Sequence, residues 1–390
     1  MMENNEGKLP YGLISIKVKN FRGIKNADLE GIPRNTSWIF LTGRNGYGKT
    51  CFLQAILTAL LGNHDKNNLL ENSKFYLEIK GYTPEIEFVQ PVEGPGPVWG
   101  TIVFPVLAYG ASRLNPQPDL SSNEEDKRSS ISYNLFNPDG ILLNIERELK
   151  NWFYRSQSKE IKPGTANLFS QRYNSVLNIL LELLPNLDKI TVNVENDKVE
   201  YFEKDDEGNM IEEPRSFKEL ASGNQSIIAM IGDMIIRLFR IQTNVSSASE
   251  LSGLVIIDEF DLHLHPDWQY ELPGLLSKVF PKIQFIASTH SPIPLLGAPE
   301  GSIFTTVDRT EGKGITIKKL DVDVRNLTPN LILTSEIFGF HNIIAKTNLD
   351  QDQVRTEDTM AEKEFRDELK KRLVKFAEEE GEYPKNLFKK

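Results

Sequence analysis

Apolar residues follow two rhythms along this chain, and each rhythm predicts a different kind of element. Short apolar runs that end in polar residues or glycine predict buried strands at Ser37–Leu41, Leu254–Ile257 and Phe285–Ala287. Apolar residues spaced three and four positions apart predict helices at Cys51–Leu61 and in the segment that follows Ser226. Strands and amphipathic helices that follow one another in this way predict an α/β fold built on a mixed sheet.

The remaining pattern predicts additions to this core. An antiparallel flap is expected from Leu13–Ile32, Phe75–Gln90 and Thr101–Tyr109. Helical spacing between Ile141 and Leu184 predicts a short helical insertion. The other predicted elements are a hairpin (Ile190–Val194 with Lys198–Phe202), a polar loop (Asn115–Ser130), two strands (Ser302–Thr306 and Ile315–Leu320) and an amphipathic tail helix (Glu362–Glu380).

Composition narrows the protein class. Of the 390 residues, 39% are apolar and 26% are charged, and the apolar runs fall short of a membrane span, so a soluble globular protein is expected. The single cysteine, Cys51, and the start of the chain, which lacks the pattern of a secretory signal, indicate the cytoplasm. A net charge of −10 disfavours a general nucleic-acid binder but leaves room for a local basic surface.

The segment Gly43–Thr50, GRNGYGKT, fits the phosphate-loop pattern GxxxxGK(S/T). It stands between a predicted strand and a predicted helix, which is the context that the pattern requires. Its glycines allow backbone N–H groups to surround phosphates, and the helix N-terminus adds a positive dipole end. We therefore expect Lys49 to reach the β- and γ-phosphates of ATP and the Thr50 hydroxyl to hold Mg²⁺.

Two later segments supply candidate catalytic groups. The strand Leu254–Ile257 ends in Asp258 and Glu259, so Asp258 is expected to be the second protein contact of Mg²⁺ and Glu259 the group that polarises the attacking water. His290 follows the next strand and is the candidate contact to the γ-phosphate. His263 and His265 have a spacing that metal ligands can adopt, but a dedicated transition-metal site is not expected, because no third soft ligand is near them in sequence.

With these residues in view, the chain resembles the ABC-type ATPases, in the SMC, RecF and OLD-like branch that acts on DNA. Within that branch it is similar to the short ATPases of bacterial anti-phage systems, such as the Septu and retron-associated ATPases. The likeness is carried by the phosphate loop, the opening Ile16–Leu29, the run Asp258–Pro266 and the run Ser288–Pro292. It implies a P-loop NTPase fold of the ABC/SMC head type, with a mixed sheet core, an antiparallel flap and a short helical insertion.

The resemblance also implies a homodimer. In that class the loop that corresponds to Leu220–Ser226, here called the signature loop, presses on the γ-phosphate of the opposite subunit. Gly223 permits a close backbone approach, and the following helix directs its positive end at the anion. The family serine is matched by Ala221 in one register and by Ser222 in the other, and Asn224 also departs from the family. Slow or partner-dependent hydrolysis is therefore expected.

Other positions leave alternatives open. Arg113, Gln117 or Gln90 is a candidate for the residue that senses the nucleotide, although Tyr109–Arg113 reads equally well as a solvated turn. Asp321 and Asp323 resemble the paired acids of a TOPRIM nuclease, but a strand end is the better interpretation. The expected nucleotide contacts are Gly43, Arg44, Asn45, Gly46, Gly48, Lys49, Thr50, Cys51, Ser222 and Gly223.

Together these features predict four segments and one main function. Residues 1–110 form a first ATPase lobe, 111–217 an insertion, 218–330 a second lobe and 331–390 a helical tail. The resemblance implies an ATPase that closes around two ATP molecules and regulates a separate effector, expected to be a nuclease, in phage defence. The alternatives are a RecF-like DNA-repair ATPase that clamps nucleic acid and a weakly hydrolysing ATP-bound scaffold.

Overall fold

The computed structural model describes residues 9–61, 74–80, 105–111, 133–136, 141–321 and 327–335, together with 324, 337, 338 and 369. The chain divides into two compact units, Met1–Val322 and Asp323–Lys390. In the second unit, the short helix Pro329–Thr334 is capped by Thr328, whose side chain accepts a hydrogen bond from the Leu331 backbone N–H. The division into four segments stays a prediction.

The first unit alternates strands and helices. Within its described residues the strands are β1 (Gly12–Phe21), β2 (Ile24–Leu29), β3 (Trp38–Thr42), β4 (Lys74–Lys80), β5 (Val106–Tyr109), β6 (Leu187–Asn193), β7 (Lys198–Glu203), β8 (Ser252–Ile257), β9 (Lys282–Ser288), β10 (Ile303–Thr310) and β11 (Gly314–Leu320). The helices are α1 (Lys49–Leu61), α2 (Tyr133–Phe136), α3 (Ile145–Gln157), α4 (Pro163–Leu183), α5 (Ser222–Ile241), α6 (Pro266–Val279) and α7 (Ile293–Leu296), and two single 3₁₀ turns lie at Phe217–Glu219 and Ala248–Glu250.

Nine of the described strands form one mixed sheet, in the order β4-β1-β2-β11-β10-β3-β9-β8-β5. The five strands from β10 to β5 are parallel. The four from β4 to β11 are antiparallel to their neighbours, and β11 pairs antiparallel with β10. This arrangement confirms the predicted mixed-sheet α/β fold. The antiparallel part is continuous with the parallel core, because β11 pairs with both β10 and β2.

The prediction that Thr101–Tyr109 belongs to the antiparallel flap is wrong. The described end of that segment, β5, pairs in parallel with β8, with Tyr109 beside Ile257, at the opposite edge of the sheet from β4. All four β5 residues are buried. A continuous apolar run of this kind is typical of a parallel strand that is covered on both faces, which is why it belongs to the core.

The phosphate-loop strand lies at the centre of the sheet, and both of its faces are covered. All five β3 residues are buried. On one face, the Trp38 indole stacks on Phe285 at 4.6 Å and donates hydrogen bonds to the Pro273 carbonyl and the Ser277 hydroxyl of α6. On the other face, Ile39 and Leu41 pack in a cluster with the buried residues of α1. This burial fixes the position from which the phosphate loop starts.

The insertion consists of α3, α4 and the predicted hairpin, which β6 and β7 form as a separate two-stranded sheet. Helix α3 begins later than the pattern suggested, at Ile145, because the Asn144 side chain accepts a hydrogen bond from the Arg147 N–H and caps the helix there. Residues 141–143 precede the helix and are buried. Helix α5 then follows the signature loop into the core, where most of its residues are buried.

Several predicted features lie outside the described residues. They are the polar loop at Asn115–Ser130, the candidate nucleotide sensors Gln90, Arg113 and Gln117, Asp323, and the tail helix at Glu362–Glu380 apart from residue 369. Among the helices that are described, none has both the length and the apolar character that crossing a bilayer requires.

We predict that Gly232→Ala destabilises the protein although alanine favours helices. A Cβ at Gly232 on α5 would lie 2.5 Å from the Cβ of Ile145 on α3, so the two helices would have to separate. Overpacking of this kind costs about 1–3 kcal/mol of unfolding free energy. The matched control is Gly274→Ala in α6, where the nearest atom would be 3.8 Å away. Denaturant unfolding should show the control unchanged or stabilised by up to ~1 kcal/mol; equal effects of both changes would contradict the prediction.

Candidate nucleotide-binding and catalytic site

The phosphate loop connects β3 to α1 through backbone conformations that only glycine adopts readily. Gly43, Gly46 and Gly48 have φ values of 128°, 76° and 105°. A Cβ on Gly43 would lie 2.2 Å from the Val307 carbonyl oxygen, and one on Gly48 would lie 2.5 Å from the Ile315 side chain. The loop is therefore pressed against β10 and β11, and its fixed curvature suits a site where backbone N–H groups converge on an anion.

Lys49, at the start of α1, is buried beneath this loop. Its Nζ donates to the carbonyl oxygens of Gly43 at 2.8 Å and Arg44 at 3.3 Å, and lies 3.4 Å from the Nδ1 of His290. Burial lowers the pKa of the ammonium to about 8, although the neighbouring carboxylates of Asp258, Asp261 and Glu259 oppose this effect. An anionic phosphate at this position would favour the charged form.

Thr50 and Asp258 meet although they are 208 positions apart. The Thr50 hydroxyl donates a 2.7 Å hydrogen bond to Oδ2 of Asp258. The other carboxylate oxygen, Oδ1, accepts a 2.5 Å hydrogen bond from the Ser288 hydroxyl. A hydroxyl and a carboxylate are hard oxygen donors, and Mg²⁺ in nucleotide sites uses one or two such protein ligands together with phosphate oxygens and water. The pair therefore fits a magnesium ion.

Glu259 has a strained backbone. Its φ of 49° lies in the left-handed region, which is uncommon for a residue with a side chain. The conformation is held by two hydrogen bonds to Ser288 at the end of β9: the Glu259 N–H donates to the hydroxyl at 2.8 Å, and the next N–H, of Phe260, donates to the carbonyl at 2.8 Å. The turn therefore brings Glu259 into the same cleft as Asp258.

Asp261 holds the histidine segment in place. Its Oδ1 accepts hydrogen bonds from the Thr289 hydroxyl at 2.6 Å and from the His290 backbone N–H at 3.1 Å. Burial, reinforced by the Lys49 ammonium, lowers the pKa of His290 from its usual value. The lowered pKa favours the neutral imidazole, which can both donate and accept hydrogen bonds.

These residues line one cleft with a volume of about 500 Å³. The predicted residues that line it are Asn45, Gly46, Gly48, Lys49, Thr50, Cys51, Asp258, Glu259 and His290. Gly43 and Arg44 belong to the loop but do not line the cleft, and their carbonyl oxygens accept hydrogen bonds from Lys49. Ser222 and Gly223 are absent from the lining of the cleft in this chain.

The signature loop is exposed at the start of α5. Ala221 occupies the cap position without a side-chain hydrogen bond, and Ser222 is the first helical residue. Both are exposed, and a Cβ on Gly223 would have no atom within 4 Å. Leu220 and Asn224 are buried instead. The outward surface of this loop is therefore made by Ala221, Ser222 and Gly223, and the departure at position 224 faces the interior.

Sequence reasoning missed several residues that the fold brings to the cleft. Asp261 and Leu262 line it, while the hydroxyls of Ser288 and Thr289 donate hydrogen bonds to Asp258 and Asp261, respectively. Asp261 carried a usable signal, because it is the next acid after the Asp-Glu pair and lies in the same polar turn. Ser288 and Thr289 stand beside His290 in the sequence, but their partners became visible only in the structure.

The two histidines with metal-like spacing lie elsewhere. His263 and His265 are exposed on the turn before α6. The Nδ1 of His265 accepts a hydrogen bond from the Asp267 N–H at 3.4 Å, which caps that helix. Among the described residues, no group of three or more His, Cys, Asp or Glu side chains is arranged to hold a metal ion.

Sequence comparisons relate the chain to several known proteins. Residues 166–293 match the model of a family described as "AAA domain, putative AbiEii toxin, Type IV TA system". The chain is 27% identical over 365 residues to "Septu protein PtuA" from Bacillus mycoides, which covers 89% of this chain and 47% of that protein. It is also 27% identical over 230 residues to "Retron Vc95 probable ATPase" from Vibrio cholerae, covering 57% of this chain and 38% of the relative.

Among solved structures, an SMC head bound to the C-winged helix domain of ScpA aligns over 79% of this chain and 98% of its own, at 13% identity and a TM-score of 0.46. The fold assignment rests on the strand order and motifs of the chain itself. The chain spans about half or less of the length of the two relatives above. The chain thus matches an AAA-domain model over residues 166–293 and is similar in sequence to the Septu PtuA and retron ATPases.

Proposed function

We propose that this chain is a magnesium-dependent ATPase that closes as a homodimer around two ATP molecules and thereby regulates a separate effector in anti-phage defence in the cytoplasm. The observation that carries the proposal is the convergence of Lys49, Thr50, Asp258, Glu259 and His290 on one cleft. Phosphoryl transfer to water uses a lysine that holds the phosphates, oxygen ligands for Mg²⁺ and a residue that orients the attacking water.

Binding follows from the phosphate loop. The backbone N–H groups between Gly43 and Thr50 and the N-terminus of α1 would surround the β- and γ-phosphates, with Lys49 leaving the loop carbonyls to contact them. Thr50 and Asp258 would hold Mg²⁺. When bound, this ion neutralises the charge that develops on the phosphate oxygens.

Hydrolysis requires a water held in line with the γ-phosphate. Glu259 is the candidate general base, since its strained backbone turns it into the cleft beside Asp258. His290 lines the same cleft, and its ring N–H is suited to donate a hydrogen bond to a γ-phosphate oxygen. The Ser288 and Asp261 contacts would keep the two acids and the histidine in a fixed arrangement throughout the reaction.

The dimer follows from the exposed signature loop. Helix α5 is 20 residues long, and its first N–H groups lack an intrahelical acceptor, so its tip offers positive dipole and hydrogen-bond donors. Because Ser222 and Gly223 do not line the cleft of their own chain, the γ-phosphate they would contact is that of a second copy. Each of the two sites then combines the phosphate loop of one chain with the signature loop of the other, and a twofold axis relates the two sites.

The effector is inferred from the relatives. They are named as Septu and retron proteins, and this chain matches 47% and 38% of the length of the two relatives above. We propose a nuclease that the ATPase cycle switches on or off. Turnover that DNA stimulates, with a steep loss at higher salt, would favour a DNA-clamping ATPase instead.

We predict that Lys49→Ala weakens nucleotide binding at least tenfold. Removing the buried ammonium removes a charge-assisted contact to the phosphates, each of which contributes about 1.5–3 kcal/mol, or at least a tenfold loss of affinity. Equilibrium binding of a fluorescent ATP analogue measures the effect. Lys278→Ala, which removes an exposed lysine paired with Glu182, is the control and should bind like the wild type.

Glu259→Gln should bind ATP normally but hydrolyse it roughly 10²- to 10⁴-fold more slowly, since a general base contributes a factor of this size. Dimers should accumulate with ATP and persist, which light scattering after size exclusion can measure. The control is Glu271→Gln, an exposed acid on α6. Hydrolysis at the wild-type rate by Glu259→Gln would show that the base is another group.

A mixing experiment tests whether each site is shared between two chains. Gly223→Arg should fold, because space is open around that position, but its side chain should block the approach to a second copy. Alone, Gly223→Arg and Lys49→Ala should both be inactive. Mixed equally, they should recover about a quarter of the wild-type turnover: the Arg side chain disables only the site that its own loop enters, so half of the dimers are mixed and retain one intact site of two. A mixture that stays inactive, or an active Gly223→Arg monomer, would contradict the shared site.

A further inference from the structure

A buried polar cluster lies outside the nucleotide cleft and has no part in the proposed chemistry. Its members are Tyr109, Asp233 and Arg237, whose residues are 2%, 0% and 8% exposed. The Asp233 carboxylate accepts three hydrogen bonds, each 2.7 Å long: from the Tyr109 hydroxyl, from Nε of Arg237 and from the backbone N–H of Leu143. We call these residues the Asp233 cluster.

The cluster joins three parts of the fold that the function needs to move together. Tyr109 is the last residue of β5, and its carbonyl oxygen accepts a 2.8 Å hydrogen bond from the N–H of Asp258, the candidate magnesium ligand. Asp233 lies on α5, three turns after the signature loop that begins this helix. Leu143 lies in the segment that leads into α3, the first helix of the insertion.

Fold stability alone does not explain why a carboxylate is buried at this position. Burying a charged pair offers no more stability than well-packed apolar residues of the same volume, because desolvation offsets the attraction. Hydrogen bonds to a buried charge do specify direction, however, and here they fix the rotation of α5 relative to β5. The burial of Tyr109 and its neighbour Asp233 hold the pKa of the tyrosine well above its usual value, so the hydroxyl remains a donor at every physiological pH.

The helix that carries Asp233 is also rigidly seated. At Gly232, the residue beside it, α5 approaches α3 so closely that a Cβ would lie 2.5 Å from Ile145. Because these two helices pack without a gap, a shift of β5 would move α5 as one rigid unit. The first turn of that unit is the exposed loop at Ala221, Ser222 and Gly223.

We propose that Asp233 is a positioning residue that couples the two halves of the site: through Tyr109 it links the Asp258 strand to the signature loop of the same chain. Filling one cleft with ATP and Mg²⁺ thereby orients the loop that this chain offers to the second copy. The inference rests on the proposed function, since it assumes that the loop acts on a partner's nucleotide.

Tyr109→Phe tests the link with the smallest change. It removes one hydroxyl from the cluster and leaves the Arg237 and Leu143 hydrogen bonds to Asp233 in place. The control is Tyr201→Phe, which removes the hydroxyl of an equally buried tyrosine in the β6–β7 hairpin. Each change is measured for ATP affinity, for turnover and, in the Glu259→Gln background, for the protein concentration at which ATP produces half-maximal dimerisation.

We expect Tyr109→Phe to bind ATP within about twofold of the wild type. Its half-dimerisation concentration should rise and its turnover should fall, each roughly 5- to 10-fold, which is the lower part of the range for coupling between sites. Tyr201→Phe should change neither quantity. If Tyr109→Phe were to fold poorly, Asp233→Asn would provide the same comparison. The asparagine side chain has the volume of aspartate, but its NH₂ group donates hydrogen bonds where one carboxylate oxygen of Asp233 accepts them.

Three results would overturn the inference. Dimerisation and turnover of Tyr109→Phe equal to those of the Tyr201→Phe control would show that the cluster only stabilises the fold. A loss of ATP affinity as large as the loss of turnover would show that it serves the cleft of its own chain alone. A wild-type chain that stays monomeric with ATP would end the proposed function and this inference together, whereas the first two results leave the proposed function intact.

Discussion

The site depends on the 2.7 Å hydrogen bond between Thr50 and Asp258, because it joins the phosphate loop to the acidic turn across 208 positions of sequence. The bond exists because β3, β9 and β8 are neighbouring parallel strands whose carboxyl ends meet at one edge of the sheet. The middle strand contributes directly: Ser288 at its end donates to Asp258 and accepts from the Glu259 N–H. One edge therefore assembles the phosphate loop, the candidate magnesium ligands and the candidate base.

Charge balance at this edge explains why the groups are held so tightly. Lys49 lies among three carboxylates, yet burial keeps the pKa of its ammonium down at about 8, and the same burial lowers the pKa of His290. Glycines at positive φ and the strained Glu259 are stabilised because the surrounding sheet fixes them.

Helix α5 links this site to the surface on which a second copy would act. Most of its residues are buried, its first turn is exposed and its middle holds the Asp233 cluster. The insertion packs beside it, with the helix α3 in contact at Gly232. A single helix thus connects the interior near Asp258 with the signature loop.

The sequence by itself determined the local elements and the class of chemistry. The glycine loop, the helix at Cys51–Leu61, the hairpin and the Asp-Glu strand end could be predicted because hydrophobic period, turn residues and motif spacing are local properties. The sequence alone could not decide which strands pair, and the prediction for β5 therefore placed this strand in the wrong part of the sheet. The roles of Asp261 and Ser288 were also missed. Those depend on strand order and on hydrogen bonds between distant segments. Only tertiary packing sets such contacts, because a short apolar run looks the same at either edge of a sheet.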